Sequence, residues 1–150
     1  MRRPARVLPI VCLLVLALGL SACASDTVDL AAADGWLSAV AAEQAGADVG
    51  IGTTSGHTMP LENSGDRSAG VILTLAEPAP ASVVEVRCFG GHTATVFVEA
   101  STTSGSRGVE TSIDCDEKPH ALELVDATRT TAVRIAVRAE PETRYYADVS

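Results

Sequence analysis

From Gly70 to the C-terminus, short runs in which every second residue is apolar follow one another, and this pattern limits the possible folds more than any other feature of the chain. Successive side chains of a strand point to opposite faces, so a period of two marks a strand with one buried face. Val71, Leu73 and Leu75 alternate with Ile72 and Thr74; Val84, Val86 and Cys88 with Glu85, Arg87 and Phe89; Ala94, Val96 and Val98 with Thr95, Phe97 and Glu99. Val109, Thr111, Ile113 and Cys115 oppose Glu110, Ser112 and Asp114, and Leu122 and Leu124 oppose Glu123. Val133, Ile135 and Val137 oppose Arg134 and Arg138, and Tyr145, Ala147 and Val149 oppose Arg144, Tyr146 and Asp148. Such runs, separated by Gly, Pro, Asp and Ser, predict half-buried antiparallel strands over residues 71–150. The expected fold is all-β, an antiparallel β-sandwich that is jelly-roll-like or Ig-like.

Upstream of the strands the pattern changes. Asp34 is placed to cap a short helix in which Trp36, Leu37, Val40 and Ala41 recur at helical spacing, with Gly46 ending it. Residues 47–70 carry Gly50, Gly52, Gly56, Gly65 and many Ser and Thr, with little periodic apolar signal. They read as a long loop or irregular cover, and loops of that length in a compact domain are usually functional or disordered.

The chain starts with Arg2, Arg3 and Arg6, continues with an apolar run over residues 7–20, and reaches Leu20-Ser21-Ala22-Cys23. The run is too short for an ordinary spanning helix, which needs about 20 apolar residues. Its layout is that of a secretory signal. The four-residue motif resembles the lipobox of a bacterial prolipoprotein. The resemblance implies that residues 1–22 are removed, that Cys23 carries a diacylglycerol thioether, and that residues 23–33 tether a domain to the extracytoplasmic face of the cell membrane. The alternative is an ordinary signal peptide cut after Ala22, with Cys23 left free. Removing residues 1–22 takes away three arginines and no acidic residue, so the formal charge moves from −8 to −11. Phosphate backbones and anionic headgroups would repel such a surface, so neither nucleic-acid binding nor a polybasic membrane contact is expected. The lipid is the expected link to the membrane. The roughly 128 residues that remain suffice for one domain with a real core.

With Cys12 lost in the signal peptide and Cys23 taken by lipid, Cys88 and Cys115 remain, and in an exported chain such a pair is expected to form a disulfide. Both lie in phase with the apolar side of their runs, so the bridge should cross the core. Closing a loop of about 28 residues stabilises by roughly 3–4 kcal/mol on the chain-entropy model. Cys88-Phe89-Gly90-Gly91-His92 and Cys115-Asp116-Glu117-Lys118-Pro119-His120 are similar to segments of small, uncharacterised lipoproteins of high-GC Gram-positive bacteria. The similarity covers residues 83–150 and implies a lipid-anchored, disulfide-linked β-domain. It carries no ligand with it.

Motifs with chemical potential are few. Cys88 with His92 and Cys115 with His120 supply the ligand types of a tetrahedral zinc site, but a disulfide offers no thiolate, and Gly90-Gly91 reads as a hairpin turn leading His92 away. His57-x-Met59 pairs an imidazole with a soft thioether, a copper-type pair short of the several soft ligands such sites use. No metal and no cofactor is expected, and His57, Met59, His92 and His120 stand as weak metal candidates. Residues 50–58 have the glycine density of a phosphate loop without its lysine. No Gly-x-Ser-x-Gly elbow occurs. Asp114, Asp116 and Glu117 cluster as carboxylates of a solvated turn, and only secondarily as an acid–base pair.

Phe89, Phe97 and Tyr146 fall on the outward phase, where they would form a small ligand patch unless a second layer or the helix covers them. Arg134, Arg138 and Arg144 share an outward phase and are expected to pair with carboxylates across strands. The function expected from these features is a non-enzymatic interaction or ligand-binding module of the bacterial envelope, its partner an envelope protein or a small ligand. The alternatives are an extracytoplasmic hydrolase of cell-wall material, built from residues 47–70 and the Asp114–Glu117 cluster, and a purely structural envelope protein.

Overall fold

The computed structural model describes residues 27–46, 50–63, 68–125 and 127–150. The expected signal segment and Cys23 lie outside the described residues.

Among the described residues helix α1 (Leu30–Gln44) comes first, followed by eight strands: β1 (Gly52–His57), β2 (Val71–Ala79), β3 (Val83–Cys88), β4 (Thr93–Thr102), β5 (Gly105–Asp114), β6 (His120–Glu123), β7 (Thr130–Ala139) and β8 (Arg144–Val149). The seven alternating runs are β2 to β8. They form two four-stranded antiparallel sheets, β1-β8-β3-β6 and β2-β7-β4-β5. This is the strand order of a jelly roll and not of an immunoglobulin sandwich. Every connection except the β4–β5 hairpin passes from one sheet to the other.

The core between the sheets is rich in β-branched side chains. Val84, Val86, Val149, Val96, Val98, Val133 and Ile135 are all fully buried. These residues suit the pleated surface because their stiff χ1 costs little there. The Cys88–Cys115 disulfide, with a Cα–Cα distance of 4.4 Å, ties the end of β3 in one sheet to the residue after β5 in the other. It crosses the core as the alternation predicts.

The helix starts earlier than the sequence indicates. Asp29, not Asp34, is its N-cap, and its side chain accepts from the amides of Ala31 and Ala32 at 3.0 and 3.1 Å. Residues 30–33, expected in the tether, therefore belong to the helix. They are leucine and alanine, strong helix formers that continue any helix begun upstream. Ala33 and Val40 are buried, Trp36, Leu37 and Gln44 half-buried, so one stripe at spacings of three and four packs on the β1-β8-β3-β6 sheet.

The stretch expected as a long loop contains β1. Its inward positions are Gly52, Thr54 and Gly56, which carry no apolar signal. They lie beside larger neighbours, where a Cβ would make ordinary contact: 3.7 Å from the Tyr145 ring at Gly56 and 3.8 Å from Leu73 at Gly52. The sandwich thus begins at residue 52, not 71. Gly90 and Gly91, both at positive φ, do turn the chain, but they carry it from β3 to β4 across the two sheets, not through a hairpin within one.

The antiparallel order sorts the connections into two groups. Residues 58–63, 68–70, 89–92, 115–119 and 140–143 lie at one end, and residues 80–82, 103–104, 124–125 and 127–129 at the other. The start of α1 lies at the first end: Val28 packs against Gly90, and the ring of Trp36 lies 5.9 Å from that of Phe89.

Candidate functional site

Arg144 opens β8 at the end where the N-terminal chain arrives. Its side chain is 8% exposed, with Nε donating to Asp34 Oδ1 of α1 at 2.5 Å and Nη1 to Glu142 Oε1 at 3.1 Å. The same Glu142 oxygen lies 2.9 Å from His57 Nδ1 at the end of β1. The chain Asp34, Arg144, Glu142, His57 thus joins the helix, the β7–β8 turn and an edge strand. The His57 contact, helped by Arg144, holds the Glu142 carboxyl below its ordinary range against the opposing effect of burial. Asp34 above all, with Glu142 adding, holds the Arg144 guanidinium more firmly protonated.

The weak metal candidates are placed as follows. His57 and Met59 line one cavity of about 210 Å³, together with Gly70, Val71 and Tyr145. His120 Nε2 lies 3.0 Å from Asp116 Oδ1. His92 lines a cleft of about 410 Å³ beside Thr27, Val28, Glu140 and Pro141, and both of its ring nitrogens are buried without a hydrogen-bond partner. The two sulfurs that would complete a zinc set are joined to each other. Among the described residues no group of three or more His, Cys, Asp or Glu side chains is arranged to hold a metal ion.

The proposed aromatic patch does not assemble. Phe97 belongs to the β2-β7-β4-β5 sheet, whereas Phe89 follows β3 and Tyr146 lies in β8 of the other sheet. Outward faces of two stacked sheets point in opposite directions, so a shared outward phase does not bring residues together. Tyr146 is 5% exposed and Phe89 half-buried on the helix side. Phe97 is 6% exposed, its ring lying over Gly108 of the edge strand, where a Cβ would come within 2.9 Å of it.

The two parts of the hydrolase alternative are also separated. Asp116 accepts from Lys118 Nζ at 2.8 Å and contacts His120, and these bonds, Lys118 first, pull its carboxyl down to about 2. The turn follows β5 at one edge of its sheet, while residues 68–70 lead into β2 at the other edge, three strand spacings or about 14 Å away. Of the three outward arginines, Arg144 pairs with Asp34 and Glu142, and Arg134 lies opposite Glu99 in register with Nε 3.9 Å from its carboxylate, and also donates to the Ser68 carbonyl. Arg138 is fully buried.

One polar constellation escapes the sequence pattern. The last turn of α1 and strand β1 border a groove of about 360 Å³ lined by Ala41, Gln44, Thr53, Ser55 and Tyr146. Thr53 and Ser55 were hidden because their strand has no apolar alternation. A register argument would have exposed them: Thr53 pairs with Asp148 and Ser55 with Tyr146, on the outer face beside the helix.

No protein-family model matches the chain, and no curated protein matches it. A solved structure titled "Crystal structure of PirA" superposes with a TM-score of 0.41 at 9% identity, over 70% of this chain and 98% of that one. Likeness at this level carries no argument about fold or function.

Proposed function

We propose that this chain is a lipid-anchored envelope protein whose jelly roll acts as a non-enzymatic binding module. The observation that supports it most directly is the docking of the N-terminal chain. Six residues separate Cys23 from the start of α1, a reach of about 20 Å when extended. Val28 lies against Gly90 and Asp34 pairs with Arg144, so a tether preceding them would join the domain at that end. A diacylglycerol on Cys23 would therefore hold the end formed by residues 89–92 and 140–143 near the bilayer. The opposite end would then face outward. Two acyl chains suffice for firm anchoring, at about 0.8 kcal/mol per buried methylene.

The test is metabolic labelling with a fatty acid in a bacterial host, followed by fractionation. The wild-type chain is expected in the membrane fraction with label, and the Cys23→Ala protein in the medium without it. A wild-type chain that is exported but unlabelled would overturn the anchor.

A further inference from the structure

We infer that the groove between the last turn of α1 and strand β1 binds a neutral, polyhydroxylated ligand, a short glycan segment. The inference rests on the binding-module reading and names its site and ligand class. The groove holds about 360 Å³, enough for a sugar unit or two at the low end of ordinary ligand pockets. Its polar groups are the Gln44 amide, the Thr53 and Ser55 hydroxyls and the Tyr146 phenol. Among the described residues none of these side chains makes a hydrogen bond, so their donors and acceptors are open to a ligand.

The charge of the lining selects the ligand. In a chain of net charge −8, no described side chain lining this groove is ionised at neutral pH. The neighbouring rows carry both signs, Asp148 between Thr53 and Glu85 in register and Arg87 beside Tyr146, so they favour neither an anion nor a cation. The C-terminal end of a helix is also the negative end of its dipole and offers carbonyl acceptors. Gln44 and the hydroxyls supply both donors and acceptors. A polyol, each of whose hydroxyls donates and accepts, matches both sets at once, whereas a carboxylate or phosphate does not. Tyr146 is too buried to be a stacking platform, so recognition is by hydrogen bonds, and an affinity of about 1 mM is expected.

The experiment is an amide NMR titration of the full-length Cys23→Ala protein with maltotriose, with N,N′-diacetylchitobiose and with acetate as an anionic control. Either sugar should shift resonances of residues 41–45 and 53–55 and of Tyr146, while acetate leaves them in place. Gln44→Ala with Thr53→Val should weaken the response at least tenfold, with an unchanged near-ultraviolet dichroism spectrum showing that the fold survives. No shift with either sugar, shifts clustered instead at Gly90–His92, or an undiminished response in the double variant would each overturn the assignment. Because this protein lacks the acylated cysteine, a negative titration leaves the anchor standing, and a failed fatty-acid label leaves the groove standing.

Discussion

Asp148 and Glu85 face each other across β8 and β3, two carboxylates in direct register. Burial, with Glu85 adding to it, raises the Asp148 carboxyl above its ordinary range, and Arg87 offsets this only in part. A raised carboxylate means that the folded protein binds this proton more tightly than the unfolded chain does. Its penalty is absent below the unfolded value and complete above the folded one, so stability falls as pH rises through that interval. Asp148→Asn should therefore stabilise the protein at neutral pH by a few tenths to about 1 kcal/mol, the range for like charges placed opposite each other. Urea unfolding at neutral pH and at pH 3 tests this: the gain should be present at the first and gone at the second. Such a pair of opposed acids was not legible in the sequence, where Glu85 and Asp148 are merely outward members of two distant runs. Gly70 shows the same limit: its φ is +117°, and a Cβ there would stand 2.5 Å from the Ile135 carbonyl oxygen, both consequences of how β2 packs on β7.

At the scale of elements, α1 is held by a narrow stripe and one buried guanidinium. Arg144→Met keeps the bulk of the side chain and removes both charge-assisted bonds. Since hydrogen bonds to charged groups contribute about 1.5–3 kcal/mol, the variant should lose a comparable amount, concentrated in the helix. Trp36 is the only tryptophan and packs on Phe89, so its emission should shift to the red as the helix loosens. An emission spectrum identical to wild type would show that Arg144 does not hold the helix. The helix itself was legible from the spacing of Trp36, Leu37 and Val40. Its start was not, since Asp29 and Asp34 are equally good capping residues and alanine between them permits either. Strand β1 was missed for a different reason: its inward residues are Gly52, Thr54 and Gly56, none of them a large apolar side chain. An edge strand built that way writes no hydrophobic period.

At the scale of the whole molecule, the disulfide joins the two sheets at the end where α1 begins. Replacing Cys88 and Cys115 with alanine frees a loop of about 28 residues in the unfolded state and should cost roughly 3–4 kcal/mol. That is a large share of the roughly 5–15 kcal/mol typical of a domain, and denaturant unfolding resolves a loss of that size. Reductant should lower the wild-type unfolding midpoint to that of the double variant and leave the variant itself unchanged; a wild type indifferent to reductant would count against the structural role.

The sequence by itself determined seven of the eight strands among the described residues, the inward aim of both bridging cysteines and the presence of a helix, because each is written in the local period of its own segment. Tertiary structure alone decided that the sandwich is a jelly roll, that β1 completes one sheet, that Phe97 lies on the opposite face from Phe89 and Tyr146, and that Gln44, Thr53 and Ser55 border one groove. Local alternation fixes which side of its own strand a residue occupies. Which strand lies beside which, and therefore which outward residues meet, depends on pairings between distant segments that no local period records.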